Sequence, residues 1–336
     1  MARPRAVFVV PGGLHGITGG NVYDRAVIDA LEGRRWAVGV AEPEDAVREA
    51  DVVVLDSLAL RHGPPETDAA VVVLLHQLPS DAERRPEWKE AESAVLASAH
   101  LVITVSEGVA VAARRSAQVD PVVIPPGWDG AAAARRGPHP DLVLVVANAH
   151  PGKGVPDAVT AYGRAGPVAS SLVVVGDVAR DPEEHRRVQA AVAACRRPVV
   201  LAGVLPPQEL PRLYARAAVF LTASRYEGWP IAVAEAMASG APVVGFDAPG
   251  VRDLVRDGRD GALAPAGDVD VLARALAGVA SDPDRSRALG LAARRRARAW
   301  PTWAHTGRRF AEELKQVLLR PPARRTPRTP TPIRTP

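Results

Sequence analysis

Two glutamates, Glu227 and Glu235, lie on either side of a predicted helix start. Pro230 suits the first turn of a helix over 231–239, which Gly240 would end in a left-handed conformation. A helix N-terminus offers unpaired N–H groups and a partial positive charge, which suit a phosphate. Carboxylates beside such an anion site could accept hydrogen bonds from sugar hydroxyls. For glutamates alone, however, two solvated surface acids are the simpler interpretation.

A lysine in a glycine-flanked loop is a second candidate for binding a phosphate. Lys153 lies in the loop 148–154, between a predicted strand over 142–147 and a predicted helix over 156–164. Only 3 of the 42 basic residues are lysines, so a loop lysine is more noticeable here than usual. The carboxyl end of a parallel strand is a common ligand position, although a solvated loop residue remains the alternative.

A histidine and a glycine-rich loop occupy similar positions in the first half of the chain. His76 follows the apolar run 71–75, at the strand end where open α/β sheets place their ligand crevice. The loop 11–20 carries five glycines after a strand over 6–10, and Asn21 is expected to cap the following helix. Taken alone, His76 is more simply interpreted as a structural histidine, and the loop is equally consistent with a plain tight turn. The glycine spacing is not that of a dinucleotide-binding loop.

Short strands and helices alternate in both halves of the chain, which predicts two doubly wound α/β domains. The first half includes a predicted helix over 42–50. A Gly/Pro-rich linker is expected over 131–140, and the second half then repeats the alternation up to a last helix over 304–319. The basic Pro/Thr tail over 320–336 has little apolar area to bury, so we expect it to be disordered.

The segment around the two glutamates resembles the signature of the GT4 family of retaining glycosyltransferases. The resemblance rests on the string SRYEGWPIAVAEAMASGAPVV over residues 224–244 and extends more weakly over residues 5–319. Because the string is long and chemically mixed, it is specific for the family. It does not identify the substrate.

This resemblance implies an α/β protein of GT-B fold, in which two Rossmann-like doubly wound domains face each other across a cleft. The acceptor-side domain would span 1–130, braced by the helix 304–319, and the donor-binding domain would span 141–303. The donor would be a nucleotide sugar such as a UDP-, GDP- or dTDP-sugar, and the acceptor a small soluble molecule. The resemblance implies neither a metal nor another cofactor.

The resemblance also implies roles for individual residues. Lys153, with the amides at the helix start, would stabilise the departing diphosphate, and Glu227 would hold the sugar and stabilise positive charge at its anomeric carbon. His76 would orient the sugar or the acceptor, which completes the expected catalytic group. Besides Lys153, the expected donor-binding residues are Gly19, Gly20, Asn148, Gly176, Gly228, Trp229, Ile231 and Glu235.

One position departs from the family pattern. The family has Gly-Arg before the lysine loop, whereas this chain has Ala147-Asn148. The lost charge-assisted contact is worth about 1.5–3 kcal/mol, unless Arg225 or Arg252 replaces it. Three alternatives therefore stay open: a pseudo-glycosyltransferase, a sugar-nucleotide epimerase of the same fold, and a catalytically silent nucleotide-sugar-binding partner protein.

Bulk composition excludes several other classes. The net charge of +4 comes from four arginines in residues 321–336, because removing them from the 42 basic residues leaves 38, equal to the 38 acidic residues. A neutral body gives no support for a nucleic-acid-binding face. The single cysteine excludes an internal disulfide framework. With no apolar run long enough for a membrane span or a signal-peptide core, the expected location is the cytoplasm.

Two D-x-D strings, at 268–270 and 282–284, match in letters the cation-binding motif of another glycosyltransferase fold. Aspartate is also common at the start of helices, where its side chain caps free N–H groups. Since both strings precede helical patterns, we interpret them as caps. We therefore predict no metal site.

Overall fold

The computed structural model describes residues 3–319 except 16–17, 46, 48, 83–84, 129–139, 167, 169–170 and 207. Among the described residues, strands form two six-stranded sheets, and every strand pair is parallel. The expected α/β class with two doubly wound units is confirmed. No helix of the described part is both long and apolar enough to cross a lipid bilayer.

The first sheet has the strand order β2-β1-β3-β4-β5-β6. Its strands are β1 (Arg5–Val9), β2 (Ala37–Ala41), β3 (Val52–Asp56), β4 (Ala70–Leu75), β5 (Leu101–Thr104) and β6 (Val122–Val123). The connecting helices are α1 (Gly19–Glu32), α2 (Pro79–Ala82), α3 (Lys89–Ser98) and α4 (Glu107–Ala117), with 3₁₀ turns at Ser57–His62 and Pro86–Trp88. The valine-rich central strands are buried on both faces, as parallel sheets covered by helices require.

The second sheet has the order β12-β11-β10-β7-β8-β9. Its strands are β7 (Leu142–Val146), β8 (Ser171–Val175), β9 (Val199–Gly203), β10 (Ala217–Thr222), β11 (Val243–Asp247) and β12 (Gly261–Pro265). The helices are α5 (Val155–Arg164), α6 (Pro182–Ala194), α7 (Leu210–Arg216), α8 (Ile231–Ser239), α9 (Val251–Leu254), α10 (Val269–Ala280), α11 (Pro283–Ala297) and α12 (Trp303–Leu319), with a 3₁₀ turn at Pro151–Lys153.

The last helix, α12, packs on the first domain although it follows the second in the chain. Phe310, Leu314 and Val317 belong to the same buried core as the strands of the first sheet. Gly307 lies so close to Ala30 of α1 that any side chain at 307 would clash. These contacts hold α12 against α1 and the first sheet. The predicted linker lies outside the described residues except for Pro140, and the predicted tail lies entirely outside them.

Two local predictions are wrong. The side chain of Thr18, not Asn21, caps α1 by accepting a hydrogen bond from the Asn21 N–H. The described residues between 42 and 50 form turns and irregular backbone instead of a helix. Asp45 accepts a hydrogen bond from the N–H of Glu42 at 2.8 Å, and such side-chain bonds favour turns over helices.

Candidate functional site

The carboxyl ends of the two sheets meet across a cleft with close backbone contacts. Gly228, after β10, lies against the carbonyl oxygen of His76, where any side chain at 228 would clash. Gly19, at the start of α1, would place a Cβ 3.3 Å from Cδ1 of Ile231. The structure therefore brings the glycine loop and His76 of the first domain next to the helix start of the second domain, although Gly228 follows His76 by 152 residues in the sequence.

A second contact joins the domains beside this one. The carboxylate of Asp253 in α9 accepts a hydrogen bond from the N–H of Gly108, in the first turn of α4, at 3.1 Å. A carboxylate near a helix N-terminus is stabilised by the partial positive charge there. This contact stabilises the arrangement in which the two cleft walls touch.

Lys153 and Glu227 form an ion pair in the second domain. Nζ of Lys153 donates to both carboxylate oxygens of Glu227 at 2.7 Å. The Glu227 side chain is 10% exposed, whereas that of Lys153 is 37% exposed, so the cation keeps access to solvent. Glu227 is thus a buried, charge-paired acid and not a solvated loop residue.

Glycines at left-handed or crowded positions hold the two loops that carry this pair. Gly154 has φ 61° and lies against the carbonyl oxygen of Ala223, which brings the Lys153 loop onto the end of β10. Gly250 has φ 79° and lies against the backbone carbonyl of Glu227. Any side chain would be strained at both positions, so the close approach depends on glycine.

The N-terminus of α8 has no side-chain cap, as an anion site requires. Pro230 occupies the cap position and makes no side-chain hydrogen bond, so the N–H groups of the first turn have no capping acceptor. The helix spans Ile231–Ser239 and ends at Gly240 with φ 84°, as predicted. Trp229 packs half-buried against Trp300, with ring centroids 6.0 Å apart, and so fixes the loop before the helix.

Glu235 has a hydrogen-bond partner that the sequence does not predict. The hydroxyl of Tyr214 in α7 donates to Oε2 of Glu235 at 2.6 Å. Burial raises the pKa of Glu235, and this hydrogen bond lowers it in part. Burial beside Glu235 also raises the pKa of Tyr214, which keeps the phenol protonated as a donor. This hydrogen bond holds one carboxylate oxygen of Glu235 in place.

Asn148 and Gly176 lie side by side at the ends of β7 and β8. Oδ1 of Asn148 accepts a hydrogen bond from the N–H of Asp177 at 2.8 Å. Gly176 has φ 138° and packs against the carbonyl oxygen of Ala147. Asn148 therefore ties two strand ends together, a role that an arginine could not take because it has no acceptor.

Neither arginine considered as a replacement for the missing cation is directed to Asn148. Arg225 donates to Asp157 at 2.7 Å. Arg252 pairs with Asp247 at 2.9 Å. Lys153 is thus the candidate cation for a diphosphate on this wall of the described site.

Comparison with known proteins agrees with this geometry. Residues 140–282 match the family model of the group 1 glycosyl transferases. The chain is 32% identical over 174 residues to an alpha-maltose-1-phosphate synthase of Mycolicibacterium smegmatis, covering 49% of this chain and 45% of the relative. It is 33% identical over 161 residues to a 2-deoxystreptamine N-acetyl-D-glucosaminyltransferase of Streptomyces fradiae, covering 48% of this chain and 35% of the relative. Residues 140–282 are thus similar to the group 1 glycosyl transferases, which supports the resemblance to the GT4 family.

Solved structures extend the likeness to the fold of nearly the whole chain. Sucrose-phosphate synthase of Thermosynechococcus elongatus has a TM-score of 0.78 at 21% identity and covers 94% of this chain and 99% of its own. Anabaena HepE in complex with UDP-glucose has a TM-score of 0.76 at 18% identity and covers 93% of this chain and 99% of its own. These neighbours confirm the GT-B fold. The matches to the two sequence relatives span less than half of their lengths.

The first aspartate of each D-x-D string caps a helix. Asp268 accepts from the N–H of Val271 and Asp282 accepts from the N–H of Arg285. Within the described chain, one group of three side chains (Asp24, Asp56 and His76) brings potential metal-binding atoms within 4.8 Å of one another. Nε2 of His76 contacts both carboxylates, so the imidazole lies between the two acids.

Four residues of the described site were not predicted from the sequence: Asp24, Asp56, Tyr214 and Asp253. Asp56 could have been predicted, because it lies at the end of an apolar strand, as His76 does. Asp24 could also have been predicted, since it is an acid within the buried stripe of α1. Tyr214 and Asp253 could not, because their partners depend on how the chain folds over long distances.

Proposed function

We propose that this protein transfers a sugar from a nucleotide-sugar donor to a small acceptor, with retention of the anomeric configuration and without a metal. The observation that carries the proposal is the Lys153–Glu227 pair beside the uncapped start of α8. A cation and free amides suit a diphosphate, and a buried acid suits the sugar attached to it. The match of residues 140–282 to the group 1 glycosyl transferases supports a nucleotide-sugar donor.

The reaction would break the bond between the anomeric carbon and the diphosphate oxygen and form a bond from that carbon to the acceptor oxygen. Lys153 and the α8 amides would stabilise negative charge on the departing diphosphate, while Glu227 would stabilise positive charge at the anomeric carbon. The acceptor proton would pass to the leaving phosphate oxygen, so no separate strong base is needed. Contact between the cleft walls at Gly228 would exclude water from the reacting atoms.

UDP-glucose is the first donor to test, because HepE was solved with UDP and with UDP-glucose. A small acceptor is supported by the Streptomyces fradiae relative, whose name gives 2-deoxystreptamine as the acceptor. Both remain proposals for this chain, since the comparisons cover part of those relatives or show the fold alone.

The test uses the full chain with UDP-, GDP- and dTDP-sugars. A matching nucleotide at about 100 times its Kd should add about 2.7 kcal/mol of stability and raise Tm by several degrees. NMR of the reaction with an acceptor panel should then show a product with the anomeric configuration of the donor. An inverted product would contradict retention, and an unchanged rate after EDTA treatment would support metal independence. No thermal shift with any nucleotide would reject the donor assignment.

A nucleotide-sugar-binding protein without turnover is the second candidate. It is favoured by the lack of an arginine at 148 and by the engagement of Arg225 and Arg252 with other carboxylates. Nucleotide protection without hydrolysis or transfer to any acceptor would support it.

A further inference from the structure

His76 is held by two carboxylates from different elements. Its Nε2 lies 2.9 Å from Oδ1 of Asp24 in α1 and 3.4 Å from Oδ2 of Asp56 at the end of β3. The backbone N–H of His76 donates to Oγ of Ser57 at 3.2 Å. Three elements of the first domain therefore fix the position of one imidazole.

The two carboxylates are buried, and in the described part of the chain His76 is the one cationic group that pairs with them. The side chains of Asp24 and Asp56 are 1% and 8% exposed, and that of His76 is 13% exposed. Among the described residues, no lysine or arginine forms a salt bridge with either acid, and Oδ2 of Asp24 is buried without a hydrogen-bond partner. Burying uncompensated negative charge is costly. The two buried carboxylates therefore strongly favour a positive charge on His76.

The other groups packed around the ring do not supply that charge. Tyr23 contacts it edge-on, with centroids 5.4 Å apart, and donates its hydroxyl to the carbonyl oxygen of Ile124. Burial raises the pKa of Tyr23, so it stays neutral. From α1, Gly20 would place a Cβ only 3.2 Å from the ring. From the second domain, Gly228 contacts the His76 backbone, and the acid next to it, Glu227, is paired with Lys153.

One ring nitrogen is left for a ligand. Both carboxylates contact Nε2, whereas Nδ1 has no hydrogen-bond partner in the part of the chain that is described. A protonated imidazole carries a hydrogen on each nitrogen, so it can donate from Nδ1 but cannot accept a proton there. A neutral imidazole held at Nε2–H would instead accept a proton at Nδ1.

We propose that Asp24 and Asp56 are positioning residues that keep His76 as an imidazolium, so that its Nδ1–H is a fixed donor to an oxygen of the bound sugar or acceptor and not a base. This inference rests on the proposed function, because it assigns the state of a residue in the same cleft. It agrees with a reaction in which the leaving phosphate takes the acceptor proton.

The direction of the pKa shifts supports this assignment. Burial alone would lower the pKa of His76, but the charge of Asp24, its hydrogen bond and the charge of Asp56 together raise it above its usual value. Burial raises the pKa of Asp56 to about 6, against the opposing charge of His76. The cation with two carboxylates is therefore the state above about pH 6, and it is lost as the pH rises through the raised pKa of His76.

NMR titration of the imidazole tests the proposal without any turnover. In the full chain with labelled histidine, the resonance that disappears in His76→Gln is followed from pH 5 to 10. The wild-type pKa should lie above 6.5, and Asp24→Asn should lower it by about 1 to 3, because an opposite charge at this distance has that effect. Asp56→Asn is the second variant, in case the first does not fold. Asp29→Asn, an exposed acid on the same helix, is the matched control and should leave the pKa unchanged.

A wild-type pKa at or below 6.5, or one unaffected by both variants, would overturn the proposal. So would stoichiometric broadening of the His76 resonance by Mn²⁺, which would make the cluster a cation site. With a working donor, turnover of Asp24→Asn should recover at lower pH, where the imidazole is protonated again, and stay low if the acid has only a structural role. Absence of turnover in every form of the protein would reject the proposed function, while the titration would still decide the state of His76.

Discussion

Lys153 and Glu227, 74 residues apart in the chain, form an ion pair in which Nζ contacts both carboxylate oxygens at 2.7 Å. The pair joins the loop after β7 to the loop after β10, at the start of α8. A diphosphate that binds Lys153 has to compete with the carboxylate of Glu227. The two residues therefore work against each other in nucleotide binding, although both are expected to assist transfer.

Glu227→Gln should strengthen UDP binding and weaken catalysis. Removing the competing negative charge frees Lys153, and the gain should be about 2- to 5-fold because a partly exposed ion pair is worth at most about 1 kcal/mol. Turnover should fall by about 100-fold or more, since the charge that stabilises the anomeric carbon is lost. Calorimetry with UDP and a rate assay with the donor give the two values.

Glu90→Gln is the control for this substitution, because it removes an exposed acid on α3 and should change neither quantity. A loss of UDP affinity in Glu227→Gln would show that the acid supports nucleotide binding and does not compete with it.

Tyr214→Phe should change the pH dependence of nucleoside binding. Ribose hydroxyls can donate to Glu235 only while it is ionised, so binding should weaken as the pH falls through its raised pKa. The Tyr214 hydrogen bond lowers that pKa, so its loss in the variant should move the decline to higher pH. Titration of uridine from pH 8 to 5 avoids the ionisation of a phosphate.

Glu235→Gln completes this test. It should bind uridine more weakly by about 1.5–3 kcal/mol at pH 8, the value of a hydrogen bond to a charged group, and should lack the acidic decline. Identical pH profiles for wild type and Tyr214→Phe would exclude Glu235 as the titrating group.

The elements of the fold could be predicted largely because burial leaves a local pattern. Valine-rich runs such as 71–75 have both faces covered, and α8 combines small residues with a glycine stop, so its bounds could be predicted in full. The helix over 42–50 was predicted wrongly because its few apolar residues had to compete with a local bond between Asp45 and Glu42. A helix this short needs packing to be stable.

The sequence predicts several residues of the candidate site, but it does not predict which of these residues contact one another. Their positions after predicted strands identified Lys153 and His76 as candidates. The sequence next to Lys153 does not indicate that it pairs with a carboxylate 74 positions away, and the sequence next to His76 does not indicate an aspartate on another element. The contact between Asp253 and Gly108 depends on how two domains meet. Such long-range geometry is set by the packing of whole elements, which a one-dimensional pattern does not contain.

Gly228→Ala should separate donor binding from catalysis. A methyl group at 228 would collide with the carbonyl oxygen of His76 and hold the cleft walls apart. The proposed contacts of UDP with Lys153 and Glu235 lie in the second domain and would be kept, so its affinity should stay within about 3-fold, whereas a displacement of about 1 Å can cost about 100-fold in turnover. Small-angle scattering should show a larger radius of gyration in the variant.

Gly39→Ala is the matched control for that change, because a Cβ there would lie 3.7 Å from Val7, an ordinary contact. Normal turnover in Gly228→Ala would contradict a role for this wall contact in the reaction.

Asn148→Asp tests whether the residue at this position faces a donor phosphate. The substitution keeps an acceptor for the N–H of Asp177, so the tie between β7 and β8 and the Tm should change little. It replaces an amide donor by a negative charge, which should weaken UDP binding about 10-fold or more if a phosphate lies within a few ångströms. Uridine has no phosphate, so its affinity should stay the same, and calorimetry with both ligands compares the two effects. If wild type and variant bind UDP equally well, the diphosphate does not lie near Asn148. Lys153 would then remain the proposed diphosphate contact in the second domain.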